Sequence, residues 1–405
     1  MIKISKNCRL CKSKELDEIL YLCDSPPANN FDDTFTQSHA AQSFPLIIDY
    51  CKICANIQLR HCLSEELLYS SYTYSTPNSS SLTEQYQNIL DYLKSKLTLS
   101  NSNIVEIGSN NGALLDFLKP FSSSVLGVDP ASNIAKLANQ VGVETLCNFF
   151  NFDLSNQILE RGKNIDVVIA RHMFAHNSDP HELIAGMKNL IANDGILIIE
   201  NAYAFDTLLK GEFDQIYHEH MFYYSVCSMK NLLAQHNIYL NDIFMSKVHG
   251  GSIAFVGSCI DDAISPSLKA QLELEMELLD NQRVFSIFKS KINSVKNFVN
   301  DHIDPKEILA AYGAPAKAFT MFSYLGLDSS SIKFCIDTTP TKINKIFPVT
   351  NIPIISERAM SKESYDSILV TAWNYKDEII QKSDKIFKKG TKLIFPLPEP
   401  TIHIV

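Results

Sequence analysis

Val105-Glu106-Ile107-Gly108-Ser109-Asn110-Asn111-Gly112 decides the fold. Asn103 to Ile107 has the length and apolar character of a short buried strand, and the glycines that follow permit a tight turn. Upstream, the spacing Leu82, Tyr86, Ile89, Leu90, Leu93 and Leu97 predicts an amphipathic helix. Downstream an alternation begins: strand Val125 to Asp129, helix Ala131 to Val141, strand Ile165 to Ala170, helix Asp179 to Ala192 and strand Gly195 to Glu200. This β-α order predicts a parallel sheet, whose ligands sit at the carboxyl ends of the strands.

The turn lacks the G-x-G-x-x-G pattern that cradles a pyrophosphate. Asp129 ends the next strand, where a carboxylate can accept both hydroxyls of a ribose, while the short Gly-x-x-x-Gly loop lets backbone approach the ligand. That combination fits S-adenosylmethionine (SAM) better than NAD. The competing reading of Asp129 is a cap for the helix that begins at Ala131.

The chain has 405 residues, too many for one ordinary core, and should divide into two or three domains. With 36 Lys plus Arg against 45 Asp plus Glu, the net charge of -9 excludes a general nucleic-acid binder while leaving room for a local anion pocket. The opening residues show no leader pattern, and no stretch offers about 20 uncharged apolar residues, so a cytoplasmic protein with no membrane partner is expected.

Four of the ten cysteines form two Cys-x-x-Cys knuckles, Cys8 with Cys11 and Cys51 with Cys54. Four thiolates so spaced suit a tetrahedral structural Zn²⁺, and a reducing cytosol disfavours the alternative of disulfides. Cys23, Cys62, Cys147, Cys227, Cys259 and Cys335 read as small buried hydrophobes.

Tyr217-His218-Glu219-His220 is an unbroken row of proton donors, acceptors and potential bases, flanked by Phe213, Phe222, Tyr223 and Tyr224. Farther along, 266–297 has helical spacing and reads as a connector. A second open α/β pattern follows, with strands Ile308 to Tyr312, Ile332 to Asp337 and Ser367 to Thr371. Lys317, after a turn and before a helix, could meet a phosphate; a lone lysine is more often an exposed surface residue.

Taken together, the knuckles, 105–112, Gly127-Val128-Asp129-Pro130, Phe174-Ala175-His176, Tyr217 to His220, His249-Gly250-Gly251-Ser252, Tyr312-Gly313-Ala314-Pro315-Ala316-Lys317 and Ala372-Trp373-Asn374-Tyr375 resemble the sugar C-methyltransferases. These bacterial enzymes methylate a carbon of a nucleotide-linked keto-deoxysugar. The resemblance implies an α/β protein with a zinc-binding lobe at 1–75, a central class I SAM-dependent methyltransferase domain of Rossmann-like fold at 76–262, a helical connector at 263–304 and a second Rossmann-like domain for the sugar nucleotide at 305–405.

The resemblance also implies roles. His220 is the base that removes a proton beside a keto group, Glu219 orients or tunes it, Tyr217 hydrogen-bonds substrate or enolate, and Tyr72 and Tyr74 are further site tyrosines. Glu106, Gly108, Asn110, Asn111, Gly112, Asp129 and Pro130 hold SAM, with His172, Phe174 and His176 at its methionine end. His218, His249, Gly251, Ser252 and Lys317 meet the substrate, expected to be a dTDP-, GDP- or CDP-linked 4-keto-6-deoxy sugar methylated at carbon 3. Monomer and homo-oligomer both stay open. The chain departs from the family at Ala254, where an arginine is usual, and at Lys342-Ile343-Asn344 and Pro348-Val349. Two other readings are an O- or N-methyltransferase and a non-catalytic nucleotide-sugar-binding scaffold.

Overall fold

The alternating segment folds into a seven-stranded sheet at the centre of the chain. The computed structural model describes residues 2–64, 80–360 and 364–405, and not the side chains of residues 80, 81 and 249. Tyr72 and Tyr74 lie outside the described residues. Strand Asn103–Ile107 takes the middle of the sheet, with Ser124–Val128 and Thr145–Leu146 on one side and Ile165–Arg171 and Ile191–Ala202 on the other, all parallel. Ser252–Ser258 and Tyr239–Ser246 add an antiparallel edge.

Both faces of the sheet are covered, which is why its strands read as continuous apolar runs. Successive side chains alternate between faces. Ile104, Val167, Ile169 and Ile198 pack against Ile89, Leu90 and Leu93 of helix Ser80–Lys96, whereas Val105, Val168, Ala170 and Ile199 share a core with Leu183, Ile184 and Met187 of helix Pro180–Leu190. Asp179 caps the latter helix by accepting the backbone N–H groups of His181 and Glu182.

The amino-terminal lobe is built on a four-stranded antiparallel sheet in the order Phe222–Tyr223, Ile57–Leu59, Phe44–Cys51, Leu16–Ser25. Its outer strand comes from the central domain, directly after the Tyr217 to His220 row. Arg9 secures this junction. Its guanidinium donates to the Met221 carbonyl at 2.7 Å and the Leu59 carbonyl at 2.8 Å, and lies 4.1 Å from the Phe222 ring centroid.

The segment read as a helical connector, 266–297, forms two helices, Pro266–Leu279 and Arg283–His302. The polar run Asp280-Asn281-Gln282 interrupts the apolar spacing, and Asn281 and Gln282 both take left-handed backbone (φ 50° and 56°), which a continuous helix excludes. Beyond them a six-stranded sheet has the order Ile354–Ile355, Ile332–Ile336, Leu309–Tyr312, Ser367–Val370, Lys392–Phe395, Thr401–Ile404, parallel except for the last strand. The chain enters at the middle and winds out both ways, so the crevice between Leu309–Tyr312 and Ser367–Val370 is a topological switch point.

The amino-terminal lobe docks on this last domain. Phe31 packs between Phe319 and Phe347, at 5.0 and 5.1 Å between ring centroids, and Asp32 and Ile346 exchange backbone hydrogen bonds of 3.0 and 2.9 Å. Among the described residues no helix is long and apolar enough to cross a membrane. Cys147 is exposed, contrary to the expectation for the scattered cysteines: it follows the short edge strand Thr145–Leu146, where little covers the sheet.

Candidate active site

The four knuckle sulfurs converge to within 4.8 Å of one another and form no disulfide. Cys8 faces Cys54 and Cys11 faces Cys51, each at 3.5 Å. Tetrahedral zinc with bonds of about 2.3 Å separates its sulfurs by roughly 3.8 Å, so the cluster fits the ion with little movement. The Cys11 backbone N–H and the Asn56 amide both point at Cys8 Sγ at 3.5 Å, donors that favour a thiolate. All four positions are occupied by sulfur, so the site is structural.

At the carboxyl ends of the central strands lies a cavity of about 390 Å³. Gly108 turns the chain into it with φ of 68°, and a Cβ there would stand 2.6 Å from Met173 Cγ. Asp129 sits opposite, its carboxylate accepting Asn110 N–H and Ala131 N–H, each at 2.9 Å. The helix that follows runs Ser132–Gln140 with Ala131 at its N-cap and no side-chain cap bond, so Asp129 is not that cap. It braces the turn and the start of the next helix, and each oxygen retains a lone pair for a ribose hydroxyl. Burial raises its pKa against these two N–H donors. Gly108, Asn110, Asn111, Asp129, Pro130, His172 and His176 line the cavity, alongside Tyr86, Phe149 and Phe150, which the sequence reading missed. The aromatic and polar lining suits an adenosine with a methionine tail.

Three expected cofactor residues lie behind this wall. Gly112 (φ 76°) precedes helix Ala113–Leu118 and backs onto Ala138 and Val143. Phe174 is fully buried against Tyr224. Glu106 is buried in an ion pair with Arg171, Oε1 to Nε 3.2 Å, while Arg171 Nη1 lies 3.9 Å from Glu200. Burial raises the Glu106 carboxyl to about 7, with Arg171 opposing. Burial acts on Glu200 too, but His172, Arg171 and Ser246 outweigh it and hold Glu200 below the ordinary range.

A second cavity, of about 270 Å³, adjoins the first: His172 and His176 line both. Here the Tyr217 to His220 row does what an extended strand cannot. His220 N–H donates to the Tyr217 carbonyl at 2.9 Å, closing a turn that brings Tyr217, Glu219 and His220 to the cavity. His218 points elsewhere: it is fully buried, edge-on to Phe44 at 6.0 Å, and lines neither of these two cavities. Its expected place at the substrate is thus not where the turn puts it.

His220 Nδ1 lies 2.8 Å from the Gln215 carbonyl oxygen and Nε2 lies 2.7 Å from Tyr217 Oη. A carbonyl only accepts, so Nδ1 carries the hydrogen and Nε2 keeps its lone pair. Burial pulls His220 down to about 4, the Gln215 carbonyl opposing and His172 adding to the fall, which leaves a neutral imidazole. Burial also holds His176 well below the usual range, reinforced by His220 and His172. Glu219 does not orient His220. Its Oε1 accepts from Asn29 Nδ2 at 3.1 Å, and burial raises it to about 7 against that bond. Asn29, supplied by the amino-terminal lobe in left-handed backbone (φ 62°), was not legible; the Pro26-Pro27 turn just ahead of it was the sole cue.

Lys317 is buried rather than surface-exposed. It lines the second cavity with its ammonium 3.6 Å above the Trp373 ring, and burial lowers its pKa against Asp214 and Glu212. Gly251 and Ser252 do not line these two cavities, and the side chain of His249 lies outside the described residues. A Cβ on Gly250 would meet the Trp373 ring at 2.8 Å, one on Gly251 would meet Asp206 at 2.2 Å, and Ser252 donates to the Val248 carbonyl. The loop is a seat for Trp373 and Asp206. Ala254 is fully buried in the central sheet.

A third cavity, of about 680 Å³, continues from the second, sharing Asn29, Lys342 and Tyr375 with it, and occupies the switch point of the last sheet. It repeats the brace of the first. Gly313 N–H bonds the Ile336 carbonyl (2.7 Å), and Asp337 accepts Ala314 N–H and Thr339 N–H, both at 2.7 Å. In the first cavity the same parts are Gly108 with Val128 and Asp129 with Asn110 and Ala131. Lys342, in the segment that departs from the family pattern, stands at the mouth with its ammonium on the Ala314 carbonyl at 2.8 Å.

Comparison with known proteins accounts for all three parts. Residues 8–69 match a zinc binding domain, 80–241 a methyltransferase domain and 247–398 the C-methyltransferase C-terminal domain. C-methyltransferase NovU of Streptomyces niveus is 31% identical over 403 residues, which cover 98% of this chain and 96% of that protein. Among solved structures, the plantazolicin methyltransferase BpumL with SAH overlaps 43% of this chain and 83% of its own at 14% identity and a TM-score of 0.36. The magnesium protoporphyrin IX methyltransferase ChlM of Synechocystis PCC 6803 with SAM overlaps 45% and 86% at 13% identity and a TM-score of 0.35. Neither overlap bears weight at such scores; the full-length relative does, and with the three domain matches it shows that the chain belongs to the C-methyltransferase family and is a SAM-dependent methyltransferase with a zinc-binding domain.

Proposed function

We propose that the protein methylates a carbon beside the ketone of a nucleotide-linked 4-keto-6-deoxy sugar, at carbon 3, through an enolate formed by His220. The observation that carries this reading is the continuity of the three cavities: His172 and His176 are shared by the first and second, and Asn29, Lys342 and Tyr375 by the second and third. A long acceptor with a reactive sugar at one end and a nucleotide at the other matches that path. The Asp337 brace and the lysines Lys342, Lys382 and Lys385 around the third cavity support a ribose and phosphates there.

Bound SAM supplies an electrophilic methyl group. The acceptor carbon becomes a nucleophile on losing its proton, and the chain must provide the base, donors to the enolate oxygen and alignment. His220 arrives neutral with its Nε2 lone pair directed at the Tyr217 hydroxyl. Once Nε2 takes the carbon-bound proton it donates in turn to the Tyr217 oxygen, and the phenolic hydrogen is released to turn towards the enolate. Gln215 keeps Nδ1 protonated throughout.

One observation favours a second assignment of the base: Glu219 faces the same cavity with its pKa raised to about 7, nearer the working pH than that of His220. The test is incubation of dTDP-, GDP- and CDP-linked 4-keto-6-deoxy sugars in heavy water with SAM, read by mass and proton NMR, for the wild type, His220→Gln and Glu219→Gln. Carbon methylation with deuterium exchange at that carbon, both abolished in His220→Gln alone, is expected. Loss confined to Glu219→Gln would transfer the role, and methyl on a heteroatom without exchange would replace the enolate reading.

A further inference from the structure

The base is reached by the carboxyl-terminal domain through a single carbonyl. Gln215, whose carbonyl oxygen accepts His220 Nδ1–H, closes the short helical turn Phe213–Gln215. The residues on either side of Gln215 are held from the last domain. Asp214 Oδ2 accepts the Trp373 indole N–H at 2.6 Å, and the Ile216 carbonyl accepts the Thr320 hydroxyl at 2.8 Å. Phe213 packs on Tyr324 at 4.5 Å between ring centroids, from the same helix, Lys317–Leu325, that carries Thr320. Asp214 and Thr320 are fully buried and Trp373 is 3% exposed, so water does not substitute for either bond.

We infer that Trp373 and Thr320 are positioning residues which, through Asp214 and Ile216, hold the Gln215 carbonyl against His220 and so fix the base in its Nδ1–H tautomer. The inference rests on the reading of His220 as the base. Its physical content is simple. If the turn relaxes and the carbonyl withdraws, Nδ1–H loses the acceptor that holds it and the ring is free to carry its hydrogen on Nε2, where no lone pair remains for the substrate proton. The device also links acceptor binding to the base. The second cavity is lined by Lys317, Ala372, Asn374 and Tyr375, the immediate neighbours of the clamp, so a ligand seated against them bears on Trp373.

Trp373 is the sole tryptophan of the chain, so its fluorescence reports the clamp directly. The experiment compares Trp373→Phe, Thr320→Val and Asp214→Asn with the wild type. The His220 ring is read by long-range ¹H–¹⁵N spectra, assigned from the signals missing in His220→Gln, together with SAM affinity by calorimetry and kcat and KM for the sugar nucleotide that is turned over. The wild type is expected to show the Nδ1–H tautomer. Trp373→Phe and Thr320→Val should shift His220 towards Nε2–H and lower kcat at least about tenfold with KM and SAM affinity within about threefold, as for a group acting only through the base. Asp214→Asn should shift the Trp373 emission. Thr320→Val retains the indole and keeps the test open where Trp373→Phe fails to fold. An unchanged tautomer in both variants, or a loss in KM with kcat retained, overturns the clamp. The tautomer is read without substrate, whereas turnover and exchange retained in His220→Gln would overturn the base assignment instead, so the two failures are distinct.

Discussion

Replacing Arg171 by Met isolates the charge network beneath the first cavity. Arg171 lies between two carboxylates, 3.2 Å from Glu106 and 3.9 Å from Glu200, and the three side chains are 8%, 2% and 0% exposed. At an effective dielectric of about 20 those separations correspond to attractions of roughly 5 and 4 kcal/mol before desolvation. Deleting the cation leaves Glu106 buried without its counter-charge, while Glu200 keeps His172 and Ser246, at a net cost of about 3–5 kcal/mol. The pH dependence gives the signature. Glu106 titrates near 7 in the folded chain, above its unfolded value, so its contribution is most favourable below the unfolded pKa and is lost as pH rises through about 7. Without Arg171 its pKa climbs further, so the penalty should be largest near pH 8 and smaller near pH 5. Urea unfolding followed by far-UV circular dichroism at the two pH values measures this, and adding Glu106→Gln should return much of the loss at pH 8. A penalty under about 1 kcal/mol, or one equal at both pH values, would refute the electrostatic account.

Two further expectations concern the metal and the cofactor turn. Cys51→Ser should abolish stoichiometric zinc by elemental analysis and lower turnover while leaving SAM affinity within about threefold, because the lobe supports Asn29 and the Phe222–Tyr223 strand while its described residues do not line the first cavity. Retained zinc would remove Cys51 from the ligand set. Gly108→Ala should weaken SAM binding by calorimetry about tenfold or more, since its Cβ would stand 2.6 Å from Met173 Cγ at a φ that costs an L-residue roughly 1–2 kcal/mol; affinity within twofold would show that Met173 yields without disturbing the cavity.

The row 217–220 illustrates where reading by composition stops. Its residue types announce proton chemistry, yet the turn decides which of them share a cavity, sending Glu219 and His220 inward and His218 towards Phe44. The 249–252 glycines are similar. Their need for left-handed or close-packed backbone is readable, but what they lie against is Trp373 and Asp206, distant in sequence.

Local pattern alone determined the central sheet, the switch to a second α/β domain and the four-sulfur cluster, because strand period, glycine turns and ligand spacing are short-range properties written in neighbouring residues. Tertiary structure alone decided the rest. Asn29 reaches Glu219 across 190 positions, Trp373 reaches Asp214 across 159, and Thr320 reaches Ile216 across 104. Partners so far apart leave no periodic trace in the chain. They are brought together because Phe31, Phe319 and Phe347 bury a shared aromatic core and thereby dock the first lobe on the last domain, with His220 between them.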